Sequence, residues 1–530
     1  MPLDPTKQLY IGLNKYGIIG PVRGNPSVYF VRKNGKLVRG RAANAEADAE
    51  AAVFDLRKGR ESRKVASPIV IGTRRPRDPA QLPWHGTLNI TSDSQLTDGS
   101  IPGSTVLTDG SVVITGRNYR SDTPGQPAVR IAAGITRKVT FRQGAMLGYG
   151  QNAGNGAIAM LYGHGSNNVR LEDQLHFSGQ PGGGYDGALP AYAVCLVNGR
   201  GFEMVNSETY RTRGVFLSNW DSLNTNNSPT LRGVYQENVD GRRVDSLGNW
   251  RATNVLGQDY IAATFYQMAD ARSVRAPLIE YCRMYNDPVY GAQVEDVISH
   301  VHTACHPLYP GLVQLCLWEN GLVYSPGFDG TQALYGAGAD GWRRAYSGTL
   351  GNASDGVNWN AVARTADTMP SNMEFRDSWH LTGMNGGVSI SSGNRNILRR
   401  CKVINVGYFR SKHPSGYTRI ARINPSVGMT QPIIVWDQGP NSDPNYTRND
   451  PAYWYGNIVD SCTVGWWDAN ADGTFQRSNG FFASPYTRQG ADILLPTPTS
   501  IAAALQLIDD YRAEAVSALT SGGRVIGSAV

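Results

Sequence analysis

Side chains able to do acid–base or ion-pairing chemistry gather in one stretch of this chain, residues 293–381. Read with the period of two of a strand, residues 293–305 turn Val297, Val301 and Cys305 one way and Asp296, His300 and His302 the other. The same reading of residues 372–381 sets Met373, Phe375 and Trp379 against Glu374, Arg376 and His380, and Trp318-Glu319 closes a run between the two. Hydrolysis of a glycosidic bond needs two carboxyl groups, about 5–5.5 Å apart for retention or about 6.5–9.5 Å for inversion. Outward positions on neighbouring strands can supply such a pair. Asp296, Glu319 and Glu374 are therefore the candidate catalytic carboxylates, with His300 and Arg376 as candidate glycan-binding groups beside them, Arg376 suited to orienting an acidic sugar. A solvated strand face is the competing reading of the same charges.

Aromatic residues share the region. Ten of the eleven tryptophans follow residue 219, and Trp318, Trp342, Trp359 and Trp379 lie among the candidate charges. A sugar ring offers a flat CH face to an aromatic and hydroxyls to Asn, Asp and Arg, so these four are the candidate glycan-binding rings. Each ring singly could instead pack under a loop. Metal chemistry finds less support. His300, His302 and His306 share a strand face only if the strand runs on past Pro307. The run Asp468-x-Asn470-x-Asp472-Gly473 opens like a calcium loop but has Asn479 at its twelfth position, so a tight solvent turn is expected. Gly182-Gly183-Gly184 lacks the lysine of a phosphate loop. Neither a metal nor a cofactor is expected.

The elements that must hold these residues are short. With 61 Gly and 29 Pro in 530 residues, turns are dense, and a chain of this length exceeds what one compact core holds. From about residue 86, brief β-rich runs alternate with Gly, Asn, Asp and Ser for some 400 residues: Ser111-Val112-Val113-Ile114-Thr115, Lys138-Val139-Thr140-Phe141, Asn168-Val169-Arg170-Leu171, Gly201-Phe202-Glu203-Met204-Val205. A barrel or sandwich closes, whereas this texture continues, and a recurring Gly/Asn-x-apolar-x-apolar form points to a solenoid whose stacked strands bury a continuous core. No fixed period emerges. A propeller is the alternative, without a recognisable blade motif.

The ends differ from the body. Residues 1–85 hold 16 Lys+Arg against 7 Asp+Glu, a net of +9, while the remainder is nearly neutral at −2, so a basic docking head is expected rather than a nucleic-acid-binding protein. Ser27 to Val38 reads as a hairpin around Asn34-Gly35, and residues 44–57 as a helix. After Pro498, residues Ile501, Ala504, Leu505, Ile508, Tyr511, Ala515 and Leu519 form a helical stripe, with Ser500 as N-cap, that either seals the last coil or joins copies in a bundle. Six cysteines without a CxxC pair read as buried thiols. No apolar run reaches membrane-spanning length, and no signal peptide is expected.

A basic head, a long Gly/Asn-rich β-solenoid and a distinct C-terminal element together resemble the tailspike proteins of tailed bacteriophages, which are similar in fold to pectate lyases. The resemblance is one of architecture over roughly residues 86–495 and rests on no diagnostic motif. It implies an all-β, right-handed parallel β-helix divided as head (1–85), body (86–495) and helical element (496–530). It also implies a homotrimer in the virion tail, assembled in the host cytoplasm and attached to a tail or baseplate protein through the head. The implied partner is a bacterial surface glycan, O-antigen or capsule, which the protein binds or depolymerises. A non-enzymatic adhesin or a structural virion component remains the alternative.

Overall fold

The computed structural model describes strands Ile18–Ile19, Val28–Lys33 and Lys36–Arg41, and from residue 78 to 527 the chain outside 151–158, 179–188, 221–228, most of 240–262, 272–276, 287–296, 322–348, 352–369, 413–417, 423–430, 436–453 and several shorter segments. It divides into two compact units, Met1–Gly72 and Thr73–Val530. In the first, the three strands form an antiparallel sheet in which Val28–Lys33 pairs with Lys36–Arg41, Lys33 opposite Lys36, on either side of Asn34-Gly35, which lie outside the described residues. The helix expected over residues 44–57 lies outside the described residues.

The second unit is a parallel β-helix. Its chain passes repeatedly through three sheets, as in Val129–Ile131, Lys138–Arg142 and Ala145–Gly150, then Ala159–His164, Asn168–Glu172 and Leu175–Ser178. Each strand pairs in parallel with its counterpart one coil later. The first sheet has seven strands and is followed on later coils by a separate four-stranded sheet; the second has 12 and the third 13. The second sheet contains one antiparallel strand, Ser104–Val106, at its end; the other eleven mark eleven stacked coils.

Alternation places one column of each sheet inside. In the second sheet the inward column is Phe141, Leu171, Met204, Leu231, Ile279, Val313, Phe375, Leu398 and Val459, all buried. Outward from it run charges that pair from coil to coil, such as Lys138 with Glu203 at 2.6 Å and Arg142 with Glu172 at 3.2 Å. These apolar columns run through the solenoid and supply its main stabilisation.

The corner between the second and third sheets explains why no period shows in the sequence. Its first residue is left-handed on coil after coil: Gln143, Asp173, Asn206, Gly233, Tyr281, Leu315, Asp377, Arg400 and Ser461, with φ between 47° and 63°. Most of these are not glycine, and such a conformation costs an L-residue about 1–2 kcal/mol. Stacking offsets that cost, since the corner amide donates to the next coil, as from Asp173 to Val205 and from Asp377 to Arg399. The following position is buried, and on four coils it holds Cys282, Cys316, Cys401 and Cys462 as free thiols. At the corner before the second sheet, asparagines stack instead: Asn396 accepts from the Met373 amide and donates to the Pro370 carbonyl, and Asn457 Oδ1 accepts from the Asn396 amide.

The helix Ile501–Thr520 is capped by Ser500, whose hydroxyl accepts from the Ala503 amide. It lies along the outer face of the third sheet, packing Ala504, Leu505, Ile508, Ala515 and Leu519 against Leu317, Trp379, Leu381, Ile404 and Trp467. It does not cross the final coil, where Ile493 and Leu494 stay exposed. Its apolar stripe is thus satisfied by its own chain, because the sheet offers a matching apolar strip four coils long.

Candidate functional site

The sequence-predicted residues do not converge. Asp296, Trp342 and Trp359 lie outside the described residues. His300, expected outward, points into the core with Met268, Leu217 and Leu196 of its column and is 1% exposed beside the Tyr266 ring. Trp318 also points inward, 1% exposed and edge-on to Phe265 at 4.8 Å, so it is no sugar platform. Trp379 points outward but lies beneath the helix and Lys402. Glu374 and Arg376 face outward from the second sheet, held by Arg399 at 3.1 Å and Gln314 at 2.7 Å. Glu319 belongs to the third sheet, a different face. Treating residues 372–381 as one strand missed the corner at Asp377 (φ 50°), which resets the alternation and turns His380 inward. Of the calcium-like run, Asn470 lies outside the described residues; Asp468 pairs on the strand Thr463–Ala469 with the antiparallel Phe475–Arg477, and Asp472 accepts from the Thr474 amide and hydroxyl.

The structure assembles a different group of residues on the outer face of the third sheet. Leu82 and Trp84 cover its early coils at Ala145, Leu147, Leu175 and Phe177, and the C-terminal helix covers its later ones from Leu317 onward. Between the two lie three consecutive strands, Glu208–Tyr210, Tyr235–Glu237 and Arg283–Tyr285, on which Tyr210, Tyr235, Glu237, Arg283 and Tyr285 are half-buried and Glu208 is buried. Their register stacks Glu208, Tyr235 and Arg283 in one column and Tyr210, Glu237 and Tyr285 in the next, a checkerboard of rings and charges. At about 4.8 Å per coil the strip is about 10 Å long from its first strand to its last.

Every polar group in this recess is held. Tyr235 Oη donates to Glu237 Oε2 at 2.8 Å, and Tyr210 Oη donates to Glu208. Burial, with the Glu237 carboxylate beside it, pushes the Tyr235 hydroxyl far above its ordinary range, so it stays a neutral donor. The Arg283 guanidinium sits 5.9 Å from the Tyr235 ring centre and 5.8 Å from that of Tyr285. Arg283 Nε donates to Glu319 at 2.7 Å, and Arg512 Nε, from the helix, donates to its other oxygen at 2.5 Å. Glu319 itself has no solvent exposure. One edge of the recess is closed by the chain after the helix: Arg524 lies 4.1 Å over Tyr281, and the Gly527 amide donates to the Gly233 carbonyl at 2.7 Å, covering Glu208. The sequence signal for this site is a charged-aromatic spacing of two repeated on successive runs, Glu208-x-Tyr210, Tyr235-x-Glu237 and Arg283-x-Tyr285, legible once the coils are aligned.

No protein-family model matches the chain, and no curated protein matches it in sequence. Among solved structures it is similar to an alginate lyase, AlyF-OU02 in complex with G6, at 11% identity and a TM-score of 0.31, covering 76% of each chain. It is also similar to tailspike protein 3 of bacteriophage CBA120 (8% identity, TM-score 0.29, 89% of this chain and 69% of that one). ORF18 of Geobacillus virus E2 is a third, at 10% identity and a TM-score of 0.24 over the same shares. These likenesses are of general architecture; the β-helix is established by the strand register itself.

Proposed function

We propose that this protein is a tailspike-like phage tail protein that binds a bacterial surface polysaccharide along the side of its β-helix. The observation that carries the reading is the recess on the third sheet. An extended, repeating strip of half-exposed rings interleaved with carboxylates and a guanidinium matches an extended, repeating ligand whose units have apolar faces and hydroxyl edges. Cleavage is the finer part of the proposal. Glu237 is half-buried, whereas Glu208 on the neighbouring coil is 1% exposed beneath Gly527, so this pair does not supply the two carboxyl groups that hydrolysis needs. The basic N-terminal unit is proposed to attach to the virion, and three copies to assemble as the working spike.

The experiment is incubation of the purified protein with lipopolysaccharide or capsule extracted from its host, followed by co-sedimentation and chain-length analysis. Binding is expected, and shortened chains if the protein is a depolymerase. Absence of binding to every surface polysaccharide of the host strain refutes the proposal. Sedimentation equilibrium tests the trimer, and a stable monomer at micromolar concentration removes it.

A further inference from the structure

We infer that the recess selects an uncharged sugar unit, recognised through neighbouring hydroxyl groups, and that it is not built for an anionic polysaccharide; this rests on the glycan-binding reading above. The two guanidinium groups at its wall, Arg283 and Arg512, both donate to Glu319. That carboxylate has no access to water, so it cannot release either arginine without being left charged and unsolvated. A ligand carboxylate would have to compete with Glu319 for these cations, whereas a hydroxyl needs only the N–H groups that Glu319 does not use. Arg512 is further shared with Asp509 at 2.5 Å. Among the described residues the further charges around the recess are Glu237, Glu208 at its covered edge, Arg524 over Tyr281, and Arg211 on the following corner, whose amide binds the Glu237 carbonyl. Among the described residues, Arg283, Arg512, Arg524 and Arg211 are matched by Glu319, Asp509, Glu237 and Glu208, which leaves no surplus of positive charge with which to hold an anion.

The division of labour follows from geometry. Tyr285 presents the apolar platform beside Arg283. Glu237, already accepting from Tyr235, is the acceptor for a sugar hydroxyl, and Arg283 is the donor for its neighbour. Such a pair reads two adjacent hydroxyls, as a carboxylate accepts and a guanidinium donates at fixed positions. Arg512 is a positioning residue, acting on the ligand by keeping Glu319, and through it Arg283, in place.

The test uses the full-length protein on immobilised dextran, mannan and galactan, set against alginate, polygalacturonate and colominic acid, at low and high salt. The wild type is expected to be retained on a neutral polymer, changing less than about twofold with salt because no ionic contact is made. Tyr285→Ala and Glu237→Gln are each expected to weaken retention about tenfold or more, Tyr285→Phe to preserve it, and Arg512→Met to weaken it less than either. Unchanged circular dichroism keeps a folding defect apart from a binding one. Retention confined to anionic polymers and lost in salt overturns the inference. Neutral binding that survives both Tyr285→Ala and Glu237→Gln overturns the site while leaving the glycan-binding reading standing. No retention on any polymer also overturns the inference, and the host-polysaccharide experiment then decides the function separately.

Discussion

Replacing Arg512 with Met tests the buried carboxylate at the wall of the recess. Met keeps the apolar stem of the side chain against the sheet and removes one of the two cations that hold Glu319, whose exposure is 0%. Deleting one partner of a fully buried ion pair costs about 3–5 kcal/mol. Here Arg283 remains, and both guanidinium groups are 27% exposed, so water recovers part of the loss and the cost falls to about 2 kcal/mol. Because Arg512 sits on the helix, the equilibrium that weakens is docking of the helix Ile501–Thr520, not unfolding of the coils. With tenfold for each 1.4 kcal/mol, opening becomes about 30-fold more frequent. Amide hydrogen exchange over residues 501–520 reads this directly, with strand amides of the second sheet as the internal reference. Adding Glu319→Gln removes the uncompensated charge and should return exchange to within about threefold of wild type. If the single variant leaves helix exchange unchanged, or the double variant exchanges as fast as the single, the reasoning is wrong.

Asn396→Ala removes the acceptor of the Met373 amide and the donor to the Pro370 carbonyl, so a loss of about 2–3 kcal/mol is expected in denaturant unfolding; a change below about 0.5 kcal/mol would mean water replaces both bonds. Gln143→Gly should be neutral or stabilising by up to about 1 kcal/mol, because the exposed corner residue is held at φ 53°; a loss above about 1 kcal/mol would contradict the account of the corners. Burial pushes the Cys195 and Cys305 thiols up to about 12, so they remain protonated through neutral and mildly alkaline pH and gain thiolate only as pH approaches that value. None of the six buried thiols should react with an aromatic disulfide reagent at about pH 8 in the native protein, and all six should in denaturant; rapid native reaction of any one refutes this.

The sequence by itself determined the class of the body and the character of its ends. Strand texture that continues without closing called for a solenoid, because a stack can grow where a closed sheet cannot. The Asn34-Gly35 hairpin and the helix from Ile501, with its Ser500 cap, were legible because each depends on local chemistry: a turn type in one case, a 3.6-residue stripe and a side-chain acceptor in the other. The buried cysteines were legible for the same reason, as small apolar groups inside apolar runs.

Tertiary structure alone decided which side of each strand meets water. Alternation gives two faces but not their identity across a corner, and the left-handed residues at Asp377 and its stacked counterparts reset the count each time. That is why His380, outward by simple parity, lies in the core, and why Glu374 and Glu319 occupy different sheets. The corners are invisible in sequence because Gln, Tyr, Leu, Arg and Ser all serve there; what repeats is a backbone conformation held by the neighbouring coil, not a residue type. The recess was hidden for a further reason. Tyr210, Glu237 and Tyr285 become neighbours only through the coil-to-coil register, across insertions of unequal length. Glu319 becomes a buried structural carboxylate only because an arginine 193 residues later docks onto it.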